Sequence, residues 1–452
     1  RSHLISGPPL WPPPHFAAGP SPPTMSGAAG SPTRGGGRGR LFRFAALCLL
    51  GICVHWVFQD PPEGAHLLAA TYLPASMVDI KLPYIAMPAL MSAANHGHAK
   101  AVEALLRAGA AVDLQSNSKG ATALMLGALQ GHDGVVHALV KAGAVVDLRD
   151  KKGATALMLA AGQNHAGVVQ ALLSGGAVVD LQSNVEGFTA LSIAALHGHA
   201  GVVQALLAGG ATVDLQDKKG TTPLMLGANR NHAGVVQALV AAGAAVDLQD
   251  TEGATALITA ARRGHAGAVQ VLVAAGAALD LQDTGGATAL LTAALENRTG
   301  VVHALLAGGA AVDVQNKEGA TALMLGALQD HDGVVQALLG AGAAVDLQDK
   351  KGVTALMLAA LQGHDGVLNA LLNAGATVDQ QNKKGVTALM LAALQGRDGA
   401  VQALVGAGAK LDLIDQEGRT ALDLAQSAGH SVAHLGDRRG GEGDVDGARS
   451  EL

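Results

Sequence analysis

A threonine returns along this chain at a nearly fixed interval. In the phase of the tetrad "TALM" it stands at Thr122, Thr155, Thr189, Thr222, Thr255, Thr288, Thr321, Thr354, Thr387 and Thr420. The step from Thr122 to Thr155 is kept throughout, except between Thr155 and Thr189, where it is one residue longer. A period of this size marks stacked repeats, because a single unit cannot bury its own apolar face and must pack on its neighbours. The longer step carries "LQSNVEG" where most units have the shorter "LQDKKG" pattern, so one residue has been added to a loop. A degenerate unit leads the series with Pro88 at the Thr phase, and the last one breaks off after "HSVAHL". About eleven units therefore fill residues 86–435.

Each unit has a physical plan. Thr can cap a helix by accepting a backbone N–H bond. The following "ALMLAALQ" is a short helix of good formers, and "GH" breaks it. "VVQALLGA" carries apolar residues at helical spacing and predicts a second helix. A glycine such as Gly143 suits a left-handed cap after it. "AVDLQDKKGA" is extended and turns at Asp-Lys-Lys-Gly, with Asp first and Gly fourth as a type I turn prefers.

A helix–turn–helix and a β-turn in a unit of this length resembles the ankyrin repeat. The resemblance rests on Thr122, Leu124, Ala128, Gly131, His132, Val135, Val136, Leu139, Gly143, Ala144, Val146, Asp147 and Gly153 with their periodic copies. It implies an all-α repeat solenoid of stacked helix–turn–helix units with β-hairpin loops. Two departures stand out. The family's TPLH motif reads "TALM", with Pro kept only at Pro223 and Met125 in place of His, which removes a polar link between units. Gly134 and its copies lie in the first turn of the second helix, where a helix-interior Gly costs about 1 kcal/mol against Ala, less near an end. Softer units than an idealised array are expected.

The pair His132-Asp133 invites a metal-dependent hydrolase reading. His recurs in that phase at His98, His165, His199, His232, His265, His331, His364 and His430, with Arg298 and Arg397 replacing it. Metal ligands must converge to about 2–2.6 Å from one ion. Repeat-spaced residues lie about 10 Å apart, the spacing of packed helices, and form a ladder. The resemblance places this His at the turn between helices, bonded to nearby backbone. Ser192, Ser427 and Ser431 have no unit-specific base beside them, and no Gly-rich phosphate loop follows a strand. The chain reads as a non-enzyme, with no catalytic, metal or cofactor residues.

Ankyrin repeats meet partners at the hairpin tips and the exposed end of the first helix, on the concave side. Ten of the chain's fourteen lysines lie at the tips. Lys151, Lys152, Lys218, Lys219, Lys350, Lys351, Lys383 and Lys384 form pairs suited to an acidic partner, or simply a solvated turn. At the helix ends, Leu295, Leu328, Leu361 and Leu394 predict an apolar stripe, or leucines packed on one another. Arg230, Arg262 and Arg263 make a basic patch beside it. The groove is expected to dock an extended or helical segment of a partner protein, as a scaffold or adaptor does. The alternative is a regulatory or membrane-anchoring module of a larger system whose catalytic part is a separate or missing chain.

Composition bounds the partner. The net charge is −6 and charged residues make up 15%. Nucleic-acid binding needs a basic excess to displace counterions, so it is not expected. Every Trp and Tyr, and all Phe but Phe188, lie at or before Tyr84, which leaves the array without stacking platforms. Cys48 and Cys53 alone cannot build a disulfide framework or a zinc site. The array is expected to be monomeric.

Residues 1–43 read as a disordered Pro/Gly/Arg-rich leader, and no acid precedes Asp60. The run "FAALCLLGICVHWVF" at 44–58 suits a signal, anchor or transit-type segment. Through it the protein would touch a membrane or reach an organelle or the secretory route; otherwise it would be cytoplasmic. A linker at 59–85 and a disordered charged tail at 436–452 flank the array.

Overall fold

The computed structural model describes residues 88–430. These hold 21 helices and, among the described residues, no strand. The helices form ten pairs followed by one more first helix, Ala421–Ser427. The leader, the apolar run at 44–58, the linker before residue 88 and the tail at 436–452 lie outside the described residues. Among those described, no helix is long and apolar enough to cross a membrane.

The unit at Ala123–Gln130 and Asp133–Lys141 shows why the pairs form. Thr122 is extended at φ −98° and ψ 170°, and its hydroxyl oxygen accepts the Met125 N–H at 3.2 Å. This satisfies a backbone donor with no partner inside the helix. The other phase-marking threonines, through Thr420, cap their helices in the same way. Pro88 has no such side-chain bond, whereas Pro223 sits at the first helical position, where its missing N–H costs nothing. Gly131 ends the first helix in the left-handed region at φ 76°. Asn164, Asn231, Asn297 and Asp330 adopt that conformation in other units, as short polar side chains can. The second helix closes with Gly143 N–H on Val140 O and Ala144 N–H on Leu139 O, the double bond of a Schellman cap.

Apolar packing supplies most of the stability. Leu124, Met125, Ala128, Val135, Val136 and Leu139 are each no more than 2% exposed, and their counterparts repeat along the array. Fully burying a Leu or Val is worth about 1.5–3 kcal/mol, against about 1 kcal/mol for a net hydrogen bond. Small residues let the helices approach closely: Ala128, Ala327 and Ala360 are fully buried. First helices pack on first helices and second on second, and the first set is in the more extensive contact. The first helices line one side of the array, its inner side.

Polar bonds set the register between units. The Asp247 carboxylate accepts the Ala278 N–H of the next unit at 2.9 Å. Asp113, Asp147, Asp180, Asp214, Asp280, Asp313, Asp346 and Asp379 repeat the contact. The hairpin tips join directly, Lys151 N–H to Lys119 O and so on to Gln416 N–H on Lys384 O. The loops keep a hairpin-like turn without a strand ladder. Asp150 accepts from both Lys152 N–H and Ala154 N–H at 2.8 Å, and Gly153 N–H closes on Asp150 O. The added residue lies at this tip: Gly187 N–H reaches four residues back to Ser183 O. Polar linkage lost with the Met125-type substitution is thus supplied by the loops.

Some glycines of the second helix have a use beside their helix-propensity cost. A Cβ on Gly167 would stand 2.9 Å from a carboxylate oxygen of Asp133 in the preceding unit. Gly366 faces Asp332 and Gly399 faces Asp365 in the same way. The glycine makes room for an acid beside the helix N-terminus, where negative charge is favoured. Gly201, Gly234 and Gly300 have nothing within 4 Å, and there only the helix-propensity cost remains.

Candidate protein-binding surface

Along Ala123–Gln130, Leu126, Leu129 and Gln130 are the residues not buried with the core. They sit four, seven and eight residues after Thr122, on one helical face. Repeated in every unit, these positions make three parallel rows on the inner side of the array.

The outermost row reads Gln130, Gln163, His197, Arg230, Arg263, Glu296, Gln329, Gln362 and Gln395, and all nine are exposed. The row beside it contains Leu129, Gly162, Leu196, Asn229, Arg262, Leu295, Leu328, Leu361 and Leu394. Leu295 is 41% exposed, while Leu328, Leu361, Leu394 and Arg262 are half-buried. The third row contains Leu126, Leu159, Ile193, Leu226, Thr259, Thr292, Leu325, Leu358 and Leu391. It was not foreseen from the sequence. Its signal was the four-residue offset to the first row, hidden because the first helix is apolar on nearly all sides. Leu325, Leu358 and Leu391 are half-buried, so toward the C-terminal end each unit presents two leucines on this face.

The arginines gather across three units. Arg263 Nε donates to Asn229 Oδ1 at 3.1 Å, beside Arg230 of the preceding unit. Arg262 Nη2 lies 3.9 Å from Asp283 Oδ2. Arg298, in the ladder-histidine phase, donates to Arg262 O at 3.4 Å. Partial desolvation by its neighbours holds the His197 imidazole below its ordinary pKa, and His199, Arg230 and His232 push it further in the same direction. His199 stacks on it with ring centroids 5.8 Å apart, and is itself lowered chiefly by burial.

The tip lysines Lys151, Lys152, Lys218, Lys219, Lys350, Lys351, Lys383 and Lys384 are all exposed. Lys151 Nζ donates to Asn117 O at 2.6 Å and Lys218 Nζ to Asn184 O, so part of the row is tethered to the preceding tip. The central tips, Thr251-Glu252 and Thr284-Gly285, carry no lysine. The basic helix ends and the basic tips thus occupy different units.

The recurrent histidine is a strut between units. His132 Nε2 lies 3.2 Å from Asn95 O and His265 Nε2 3.0 Å from Asn229 O, both carbonyls of the preceding unit. The bonded backbone is therefore not the nearby turn that was expected. The ring packs against the left-handed glycine of the unit before it: a Cβ on Gly131 would stand 2.4 Å from the His165 ring. Among the described residues no three of His, Cys, Asp or Glu come together as metal ligands. The Ser192 and Thr189 hydroxyls bond each other at 3.1 Å.

Sequence models of the family described as Ankyrin repeats (3 copies) match this chain in overlapping windows, from residues 67–150 through 201–283 to 356–435. The chain belongs to the ankyrin repeat family. The match begins at residue 67, ahead of the first described helix. No curated protein matches the chain. Ankyrin repeats generally act as protein–protein interaction modules and are typically non-catalytic. In this ankyrin array, the two rows at the helix ends differ between units, as do the hairpin tips.

Proposed function

We propose that the array is a non-catalytic scaffold or adaptor, which docks a segment of a partner protein along the exposed face of its first helices and at its hairpin tips. The observation that carries this reading is the leucine surface from Leu295 to Leu394, joined by Leu325, Leu358 and Leu391. Contiguous apolar surface on a folded chain commonly marks an interaction site. Leu295 is exposed and the other leucines are half-buried, so the row is partly open to a partner. The test is affinity purification with the full chain and with a variant combining Leu328→Ser, Leu361→Ser and Leu394→Ser. Loss of specific partners with unchanged circular dichroism supports the reading. Retention of every partner by the folded variant overturns it.

The apolar run at 44–58 favours a second reading, a membrane-anchoring part of a larger system. Fusion of residues 25–60 to a fluorescent reporter separates the two: membrane or organelle signal supports anchoring, and diffuse signal removes it.

A further inference from the structure

We propose that the centre of the inner face binds an extended acidic peptide. Two or three Asp or Glu side chains would lie against Arg230, Arg262 and Arg263. Apolar side chains of the same peptide would continue onto the leucines from Leu295 toward Leu394. This inference rests on the docking reading above and names the chemistry of the occupant.

The three rows carry the argument. Between Leu126 and Gln395 their fully charged members are Arg230, Arg262, Arg263 and Glu296. The apolar rows break at the same place, where Asn229, Thr259 and Thr292 replace leucine. Elsewhere the rows are leucine or isoleucine, Gly162, glutamine and the His197 imidazole. On this face, in a chain of net charge −6, the cations fall in a single window.

The cations are open. Among the described residues, neither Arg230 nor Arg263 has a carboxylate within ion-pair distance, and both are exposed. Arg262 keeps 42% of its side chain exposed, and its contact with Asp283 is long at 3.9 Å. Asn229 holds Arg263 toward the preceding unit, where Arg230 stands. The His197 imidazole, lowered in pKa chiefly by partial desolvation and also by His199, Arg230 and His232, stands close enough to Arg230 to feel its charge. Glu296 follows Arg263 in the next unit and would repel a further acid. It marks the point where an acidic segment must give way to an apolar one.

Unit spacing sets the peptide's pattern. Packed helices lie about 10 Å apart and an extended chain advances about 3.3 Å per residue, so about three peptide residues span one unit. Acids would fall about three residues apart, followed by apolar residues at about the same interval across the units of Leu295, Leu328, Leu361 and Leu394.

The test uses a library of random 16-residue peptides selected on the full chain. A second selection uses the variant R230Q/R262Q/R263Q, and a third the variant L328S/L361S/L394S. The expected result is enrichment of acids at one end of the motif and apolar residues at three-residue spacing beyond it. The arginine variant should lose the acidic preference, and a labelled selected peptide should bind it roughly tenfold more weakly at low salt. Apolar enrichment without acids, or acid enrichment that persists on the arginine variant, overturns the inference while leaving the docking surface standing. Enrichment insensitive to both variants overturns the docking reading as well. Displacement of the peptide by an oligonucleotide in preference to a soluble acidic peptide also overturns it.

Discussion

Gln249 Nε2 donates to the backbone carbonyl of Gln282, its own counterpart one unit on, at 2.9 Å, and also reaches Gly253 O at 2.7 Å. Gln216, Gln282, Gln315, Gln348 and Gln381 reach forward one unit in the same way. Gln249→Ala removes two donor contacts at an exposed site and should cost about 0.5–1 kcal/mol. Gln249→Glu should cost more, because a carboxylate then faces two carbonyl oxygens. Urea denaturation of both variants checks the order.

Gln380 stands where most other units place Leu. Its amide nitrogen makes one long bond to Asp346 O at 3.4 Å, and its oxygen is buried without a partner. A buried unsatisfied polar atom costs about 1–3 kcal/mol. Gln380→Leu should therefore stabilise the array by about 1 kcal/mol, seen as a higher denaturation midpoint with unchanged slope.

Two glycines at one helix position should respond oppositely to alanine. Gly201 has open space around it, so Gly201→Ala should stabilise by up to about 1 kcal/mol through helix propensity. At Gly167 the new Cβ meets the Asp133 carboxylate. Gly167→Ala should gain nothing or destabilise. The gain should return when Asp133→Ala is added, and a double-mutant cycle measures the coupling.

The imidazole pair gives a pH dependence. The folded pKa values of His197 and His199 lie below the ordinary 6.5, so folding favours their neutral forms. Their contribution is fully present above about pH 6.5 and is lost as pH falls toward the lowered folded values. Arg230→Gln should raise the His197 pKa toward its ordinary value, by removing one of the cations that depress it. Imidazole proton chemical shifts followed against pH read this directly; an unchanged titration would mean that Arg230 does not act on His197.

The fold was legible because its signals are local. Thr122 and its copies cap helices, Gly143-type residues end them, and the extra residue near Ser183 lies in the loop where the one longer step placed it. The register was not legible in the same way. Asp247, Gln249 and His265 each bond backbone in an adjacent unit, far along the chain and in one case in the reverse direction. No local pattern announces such a partner. The surface was half legible. The arginines and the Leu295–Leu394 row stood out as variation between units, but Leu325, Leu358 and Leu391 did not. They differ from the buried Leu323, Leu356 and Leu389 only in which way the helix turns them.

The rungs between units have a consequence for how such a molecule can change. Because Asp, Gln and tip contacts recur at each junction, removing one whole period between matching threonines would rejoin partners of the same kind. The fold would register little. The inner rows would register it fully, since losing the unit of Leu295 and Glu296 sets Leu328 directly beside the cationic window and shortens the leucine row by one. The junctions are interchangeable and the rows are not, so the array behaves as a ruler whose graduations can be cut and rejoined, with the number of units setting the distance it measures.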